Sequence, residues 1–158
     1  MANETRFTPE GELPFSLEAE QAVLGSILLD PSCLNAVAMT LKVEHFYLQQ
    51  HRDIYSHMLA LDTSSGGKLD ALLLLNALKE DKLFTDEAGK NYLYQLSVNV
   101  PTTENVESYA RIIKEKYYVR SLILASREII ENAQSGSEDA ELLLDFAEQK
   151  IYNIRQGQ

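Results

Sequence analysis

The feature that most constrains this fold is a long helical run with apolar residues on more than one side, NVPTTENVESYARIIKEKYYVRSLILASREIIENA at residues 99–133. Pro101 marks its start, because a residue that precedes proline is pushed out of the α region. From about Thr103 or Asn105 the helical pattern continues to Gln134, and a second runs from about Glu138 to Arg155. The two are separated by Ser-Gly-Ser-Glu, which offers a glycine stop and then Ser137 as a cap. A loop this short predicts an antiparallel hairpin. At 1.5 Å per residue a helix of ~28 residues is ~42 Å long, against a radius of gyration near ~13 Å for a domain of ~100 residues, so the hairpin is expected to protrude.

At about 100° per residue, Val106, Ala110, Ile113, Tyr117 and Leu124 fall on one line of the first hairpin helix. Tyr109, Ile112, Val119, Ile123 and Ile130 fall on another, roughly 120° around. The second helix offers a single seam of Ala140, Leu143, Leu144, Ala147, Ile151 and Ile154, which covers one line but not both. The line from Tyr109 to Ile130 is therefore the expected subunit interface. The alternative is that the hairpin folds back on the rest of the chain and every apolar residue is core.

Upstream, helix signals recur and strand signals are almost absent, so the fold class is all-α. Ser16 caps a helix with Leu17, Val23, Leu24, Ile27 and Leu28 at offsets of three and four. Asp30-Pro31 is read as cap and first turn of a second helix ending near Leu41. HRDIYSHMLALD forms a third, after a short turn through EHFY, and Thr63-Ser-Ser-Gly-Gly-Lys68 breaks it. Asp70 caps ALLLLNALKED, and Gly89 precedes KNYLYQLS. The expected organisation is a tail over 1–12, a compact multi-helix head over 13–101, the hairpin over 102–155, and a linker beginning at 156–158.

The net charge of −10 opposes tight binding to phosphate backbones. Residues 1–102 hold 7 bases and 14 acids, and residues 103–158 hold 7 and 10, so neither part is a nucleic-acid clamp. Arg111, Lys114, Lys116, Arg120 and Arg127 line the first hairpin helix but alternate with glutamates. No window approaches the ~18 apolar residues of a membrane span, and no secretory signal opens the chain, so the cytoplasm is the expected compartment. The lone Cys33 excludes an internal disulfide and reads as a small buried hydrophobe.

Searching for chemistry yields little. Ser-Ser-Gly-Gly-Lys-Leu fails as a phosphate loop, since Asp62 stands where the first glycine belongs and Leu69 follows Lys68. His45, His51 and His57 are six apart, which spreads them by about 120° and prevents a shared metal. His51 is expected to hydrogen-bond a neighbouring turn. No pair of carboxylates and no nucleophile–base arrangement stands out, so no catalytic, cofactor or metal residue is assigned.

In sum of its pieces, the chain resembles the N-terminal domain of bacterial replicative DNA helicases of the DnaB family. The pieces are LP at 13–14, LEAEQAVLGSILLD at 17–30, HFY at 45–47, HRDIY at 51–55, YLYQL at 92–96, NVPTTENVESYARIIKEK at 99–116 and LLDFAEQKI at 143–151. They cover residues 13 to about 154 in order, and it is their combination that is specific. The resemblance implies domains that pair through their hairpins and arrange as a trimer of dimers, a collar on a hexameric ring. It further implies docking of primase and of some helicase loaders. A linker helix would lead to a RecA-type motor domain that holds ATP and Mg and acts on DNA, and no Walker motif occurs in these 158 residues. The other reading is a stand-alone adaptor, similar in fold, that binds a helicase or primase. Gly66-Gly67-Lys68-Leu69-Asp70 departs from the family's frequent Gly-x-Pro-Ile/Val-Asp, and Ala88-Gly89 from Gly-Gly. The run of leucines after Asp70 leaves the helix register open.

Overall fold

In a computed structural model, described for residues 13–64, 69–136 and 139–157, every regular element is helical. The tail over 1–12, the Ser65–Lys68 segment, the Ser137 cap with Glu138, and Gln158 lie outside the described residues. The fold is all-α, a multi-helix head followed by an antiparallel hairpin. Two compact units are present, one formed by residues 15–114 and the other by 13–14 with 115–157.

In the first unit, α1 (Leu17–Leu29) begins as its sequence requires, with the Ser16 hydroxyl accepting from the Ala19 N–H at 3.1 Å. α2 (Cys33–Thr40) starts two residues later than the Asp30-Pro31 reading expects. The Asp30 carboxylate accepts instead from the backbone N–H and the hydroxyl of Ser32, an Asx turn that uses up the capping group. A 3-10 turn at Val43–His45 follows, then α3 (Gln49–Ser64). α4 (Ala71–Glu80) is capped by Asp70, whose Oδ1 accepts from the Leu73 N–H at 2.8 Å. That settles the leucine register: Leu74, Leu75 and Leu78 are buried, while Leu72 and Leu73 face outward.

α5 (Glu87–Val98) corrects the expectation for Gly89, which lies inside the first turn and not before it. Asp86 is the cap and accepts from the Gly89 N–H at 2.9 Å. Glycine is needed there for a packing reason, since a Cβ would sit 2.8 Å from the Phe84 Cα. The core of this unit joins α1 to α5 around the fully buried Phe46, Tyr55 and Met58, and extends to Val106, Ala110 and Ile113. Burial pushes the pKa of the Tyr55 phenol up to about 12, while its hydroxyl donates to the Leu41 carbonyl at 2.9 Å. Cys33 is half-buried against this core, and that burial together with the nearby Asp30 carboxylate raises its thiol pKa.

The exit from α4 is a Schellman turn. The Leu83 N–H donates to the Leu78 carbonyl at 2.8 Å and the Lys82 N–H to the Lys79 carbonyl at 2.9 Å. The residue that must turn left-handed is Lys82, at φ 62°. A Cβ is disfavoured in that conformation by about 1 kcal/mol. Lys82→Gly is expected to raise the unfolding free energy by about 0.5–1 kcal/mol in urea titration, although glycine usually destabilises. A loss of stability would show that the Lys82 side chain makes up for its strained backbone.

In the second unit, α6 (Val106–Ser135) supplies its residues from Glu115 onward, and α7 (Ala140–Gln156) runs antiparallel to it. Two contacts fix the register: the Tyr118 hydroxyl donates to the Gly157 carbonyl at 3.4 Å, and Lys150 pairs with Glu128. Gly136 ends α6 at φ 70°, and the cap of α7 is Asp139 rather than the expected Ser137: it accepts from the Leu142 N–H at 2.9 Å and starts the helix two residues later.

Candidate interaction surfaces

The hairpin helices carry more apolar surface than the unit buries. Of described residues 115–157, only Arg120 and Ala125 are buried, and α7 buries none of its residues. Leu122, Leu124, Leu142 and Leu144 are all exposed, the last at 60%. On the line from Val106 to Leu124, the two residues that fall in this unit are a half-buried Tyr117 and an exposed Leu124.

The five residues expected at a subunit interface divide between the units. Val119 and Ile130 are exposed at 44% and 52%, and Ile123 is half-buried. Ile112 lies on the part of α6 that belongs to the first unit and is also exposed. Tyr109 differs from the other four in that its ring packs against the core of that unit.

Arg120 belongs to the mixed-charge stripe of α6, but it is 6% exposed. Its Nη1 donates to the Pro14 carbonyl at 2.9 Å, and its guanidinium lies 5.9 Å from the Tyr117 ring centroid. It therefore ties residues 13–14 to the hairpin. Sequence reasoning missed this because the two partners are 106 residues apart. Lys150, besides pairing with Glu128, lies 5.4 Å from the Phe146 ring centroid.

In the first unit the histidines do three separate things. His45 Nδ1 accepts from the Lys42 N–H at 2.9 Å. His57 contacts the Asp81 carboxylate at 2.6 Å and the Asp53 carbonyl at 2.7 Å. Partial burial pushes its pKa down, but those hydrogen bonds and the neighbouring carboxylates outweigh it and the net shift is upward.

His51 is fully buried between Glu20, at 2.7 Å from Nδ1, and the Tyr92 hydroxyl, at 2.6 Å from Nε2. A carboxylate only accepts, so Nδ1 carries a proton toward it. Gln21 also donates to the Tyr92 oxygen, at 3.2 Å. Glu20 further accepts from the Tyr47 N–H at 2.6 Å and the Leu48 N–H at 3.5 Å, just ahead of α3. The acid–histidine–hydroxyl order is that of a proton relay, but burial raises the Tyr92 pKa and makes the phenol a poor nucleophile. The trio instead joins α1, α3 and α5.

A surface cleft of about 430 Å³ opens beside Tyr92, between α1, α5 and the 99–105 segment, with Tyr109 also on its wall. Among the described residues, no cluster of three metal-ligating side chains occurs. No described helix is long and apolar enough to cross a membrane.

The DnaB-like helicase N terminal domain family model matches residues 12–115. The chain is 36% identical over 143 residues to the replicative DNA helicase DnaB of Geobacillus stearothermophilus, covering 90% of this chain and 31% of that protein. Against the same-named protein of Nostoc it is 36% identical over 159 residues, 99% of this chain and 18% of the relative. The chain thus spans under a third of the length of these relatives. Among solved structures, the N-terminal domain of DnaB helicase from Mycobacterium tuberculosis superposes with a TM-score of 0.81 at 31% identity, covering 90% of this chain and 99% of that one. A DnaB-like replicative helicase, described with its interactions with primase, superposes at 0.68 with 29% identity, covering 86% of this chain and 31% of that one.

Proposed function

Because the chain belongs to the DnaB-like helicase N-terminal domain family, we propose that it is the collar domain of a replicative DNA helicase, a module for assembly and recruitment. Its role is to pair with a second copy through the hairpin, to build the collar of a hexameric ring, and to dock primase or a loader. ATP, Mg and DNA unwinding are assigned to a motor domain outside these residues, acting in the cytoplasm. For this role the hairpin spans 102–155, with the first turns of α6 rooted in the head core through Val106, Ala110 and Ile113.

The observation that carries the reading is the uncovered apolar surface of α6 and α7. Each aliphatic side chain gains about 1.5–3 kcal/mol when fully buried, so three or four brought together favour association by several kcal/mol. We assign Ile112, Val119, Ile123 and Ile130 to the contact between copies, with Tyr109 at its root.

Light scattering across a concentration series tests this, using the native chain and a Val119→Asp, Ile123→Asp double variant. The native chain is expected to be a dimer or larger, and the variant a folded monomer with unchanged helicity. Monomers of equal stability in both cases would end the reading. Unfolding of the variant would place this line inside the monomer and would count against it equally.

A further inference from the structure

The cleft beside Tyr92 lies wholly within residues 15–114 and shares only Tyr109 with the assembly reading, so a test read at its other lining residues stands or falls separately. Its apolar lining is Ala22, Leu96, Val100 and Pro101. The lining also includes the carboxamides of Gln21, Gln95, Asn99 and Asn105 and the rings of Tyr92 and Tyr109. Glu18 is the charged member of the lining, which holds no lysine or arginine.

We propose that this cleft receives an arginine side chain presented by a partner polypeptide. The charge decides against anions: with one carboxylate, no base and a net charge of −10, neither a phosphate nor a nucleic acid is attracted. The geometry favours guanidinium over ammonium. Guanidinium is planar, presents five donors in a fixed fork, pairs two-pronged with a carboxylate and stacks on aromatic rings, whereas ammonium is a compact, strongly hydrated point charge.

The acceptors are available. The side chains of Glu18, Gln95, Asn99 and Asn105 find no hydrogen-bond partner among the described residues. One ring is held in place beforehand, since Tyr92 is fixed by His51 at 2.6 Å and by Gln21 at 3.2 Å. Preorganisation of that kind lowers the cost of ordering on binding. A guanidinium uses only the carboxamide oxygens and leaves their NH₂ groups to meet the carbonyls of a peptide. This is the reason for a polypeptide partner over a free guanidinium ion, and a cleft of about 430 Å³ has room for both the head group and a stretch of main chain.

The test is titration of the ¹⁵N-labelled chain with a blocked Gly-Arg-Gly tripeptide, the matching Gly-Lys-Gly tripeptide and guanidinium chloride. With the arginine tripeptide, saturable shifts are expected at the side-chain NH₂ resonances of Gln95, Asn99 and Asn105. The lysine tripeptide and the guanidinium ion are expected to bind about 5-fold more weakly or worse. Glu18→Gln is expected to weaken the arginine tripeptide about 10-fold, while Glu44→Gln, which removes the same charge from an exposed site outside the cleft, leaves it unchanged. Equal binding of the arginine and lysine tripeptides would overturn the proposal. So would equal binding of the free ion, loss in both variants alike, or shifts spread over backbone amides away from the cleft.

Discussion

Gly25→Ala is expected to lower the unfolding free energy by about 3 kcal/mol, against the usual effect of that change in a helix. Mid-helix, alanine exceeds glycine by about 1 kcal/mol through backbone entropy alone. Gly25 sits in the middle of α1, where α5 approaches so closely that a Cβ would lie 2.1 Å from the Leu96 carbonyl oxygen and 2.5 Å from Val100 Cγ2. The nearest obstacle is backbone, which cannot rotate away as a side chain would. Relief requires the two helices to separate, and α1 and α5 share the core with Leu24, Ile27, Leu93 and Leu96. Chemical denaturation of the variant measures the effect, and a crystal structure would show where the helices move. A neutral or stabilising outcome would mean that α1 and α5 are not in backbone contact at this point.

Gly25 lies in a segment that sequence alone assigns to α1, yet nothing in the periodicity says which helix presses on it. That contrast runs through the molecule. Ser16 and Asp70 are legible as caps because the capping group and the N–H it accepts from are three residues apart. The antiparallel hairpin is legible because a short loop between long helices leaves no other arrangement. Where the readings of helix starts miss, a neighbouring side chain of similar chemistry competes. Ser32 captures the Asp30 carboxylate, and Asp86 supplies the cap near Gly89.

The candidate sites are less legible, for a related reason. The apolar lines on α6 follow from helix geometry; along one of them Ile112, Val119 and Ile130 are exposed and Ile123 is half-buried clear of the head core. Tyr109 is instead half-buried against the head core, because its neighbours Val106, Ala110 and Ile113 anchor that stretch of α6. The cleft draws its walls from α1, α5 and the start of α6, so no local pattern announces it. Arg120 looks like any surface arginine until Pro14 is brought beside it.

Glu20→Ala is expected to cost about 3–5 kcal/mol, because it removes a buried acceptor that serves several donors at once. Glu20 is 1% exposed and serves three donors, the ring of His51 and the backbone N–H groups of Tyr47 and Leu48. Truncation leaves these donors without an acceptor in a site too enclosed for bulk water, at about 1–3 kcal/mol for each buried group so stranded. Glu20→Gln separates charge from shape. Its carboxamide fills the same space but replaces one acceptor oxygen with an NH₂, which faces either the Tyr47 N–H, a fixed donor, or His51 Nδ1, which accepts only when the ring proton moves to Nε2 and the bond to Tyr92 reverses. It is therefore expected to recover less than half of the loss. Urea titration of both variants, with the Tyr92→Phe variant for comparison, reads the hierarchy: Tyr92 has one bond to His51 and one from Gln21, so its loss is expected to be the smallest. If Glu20→Gln matched the native chain, the oxygens would not be meeting two donors at once, and the join between α1 and the start of α3 would have to rest on apolar packing alone.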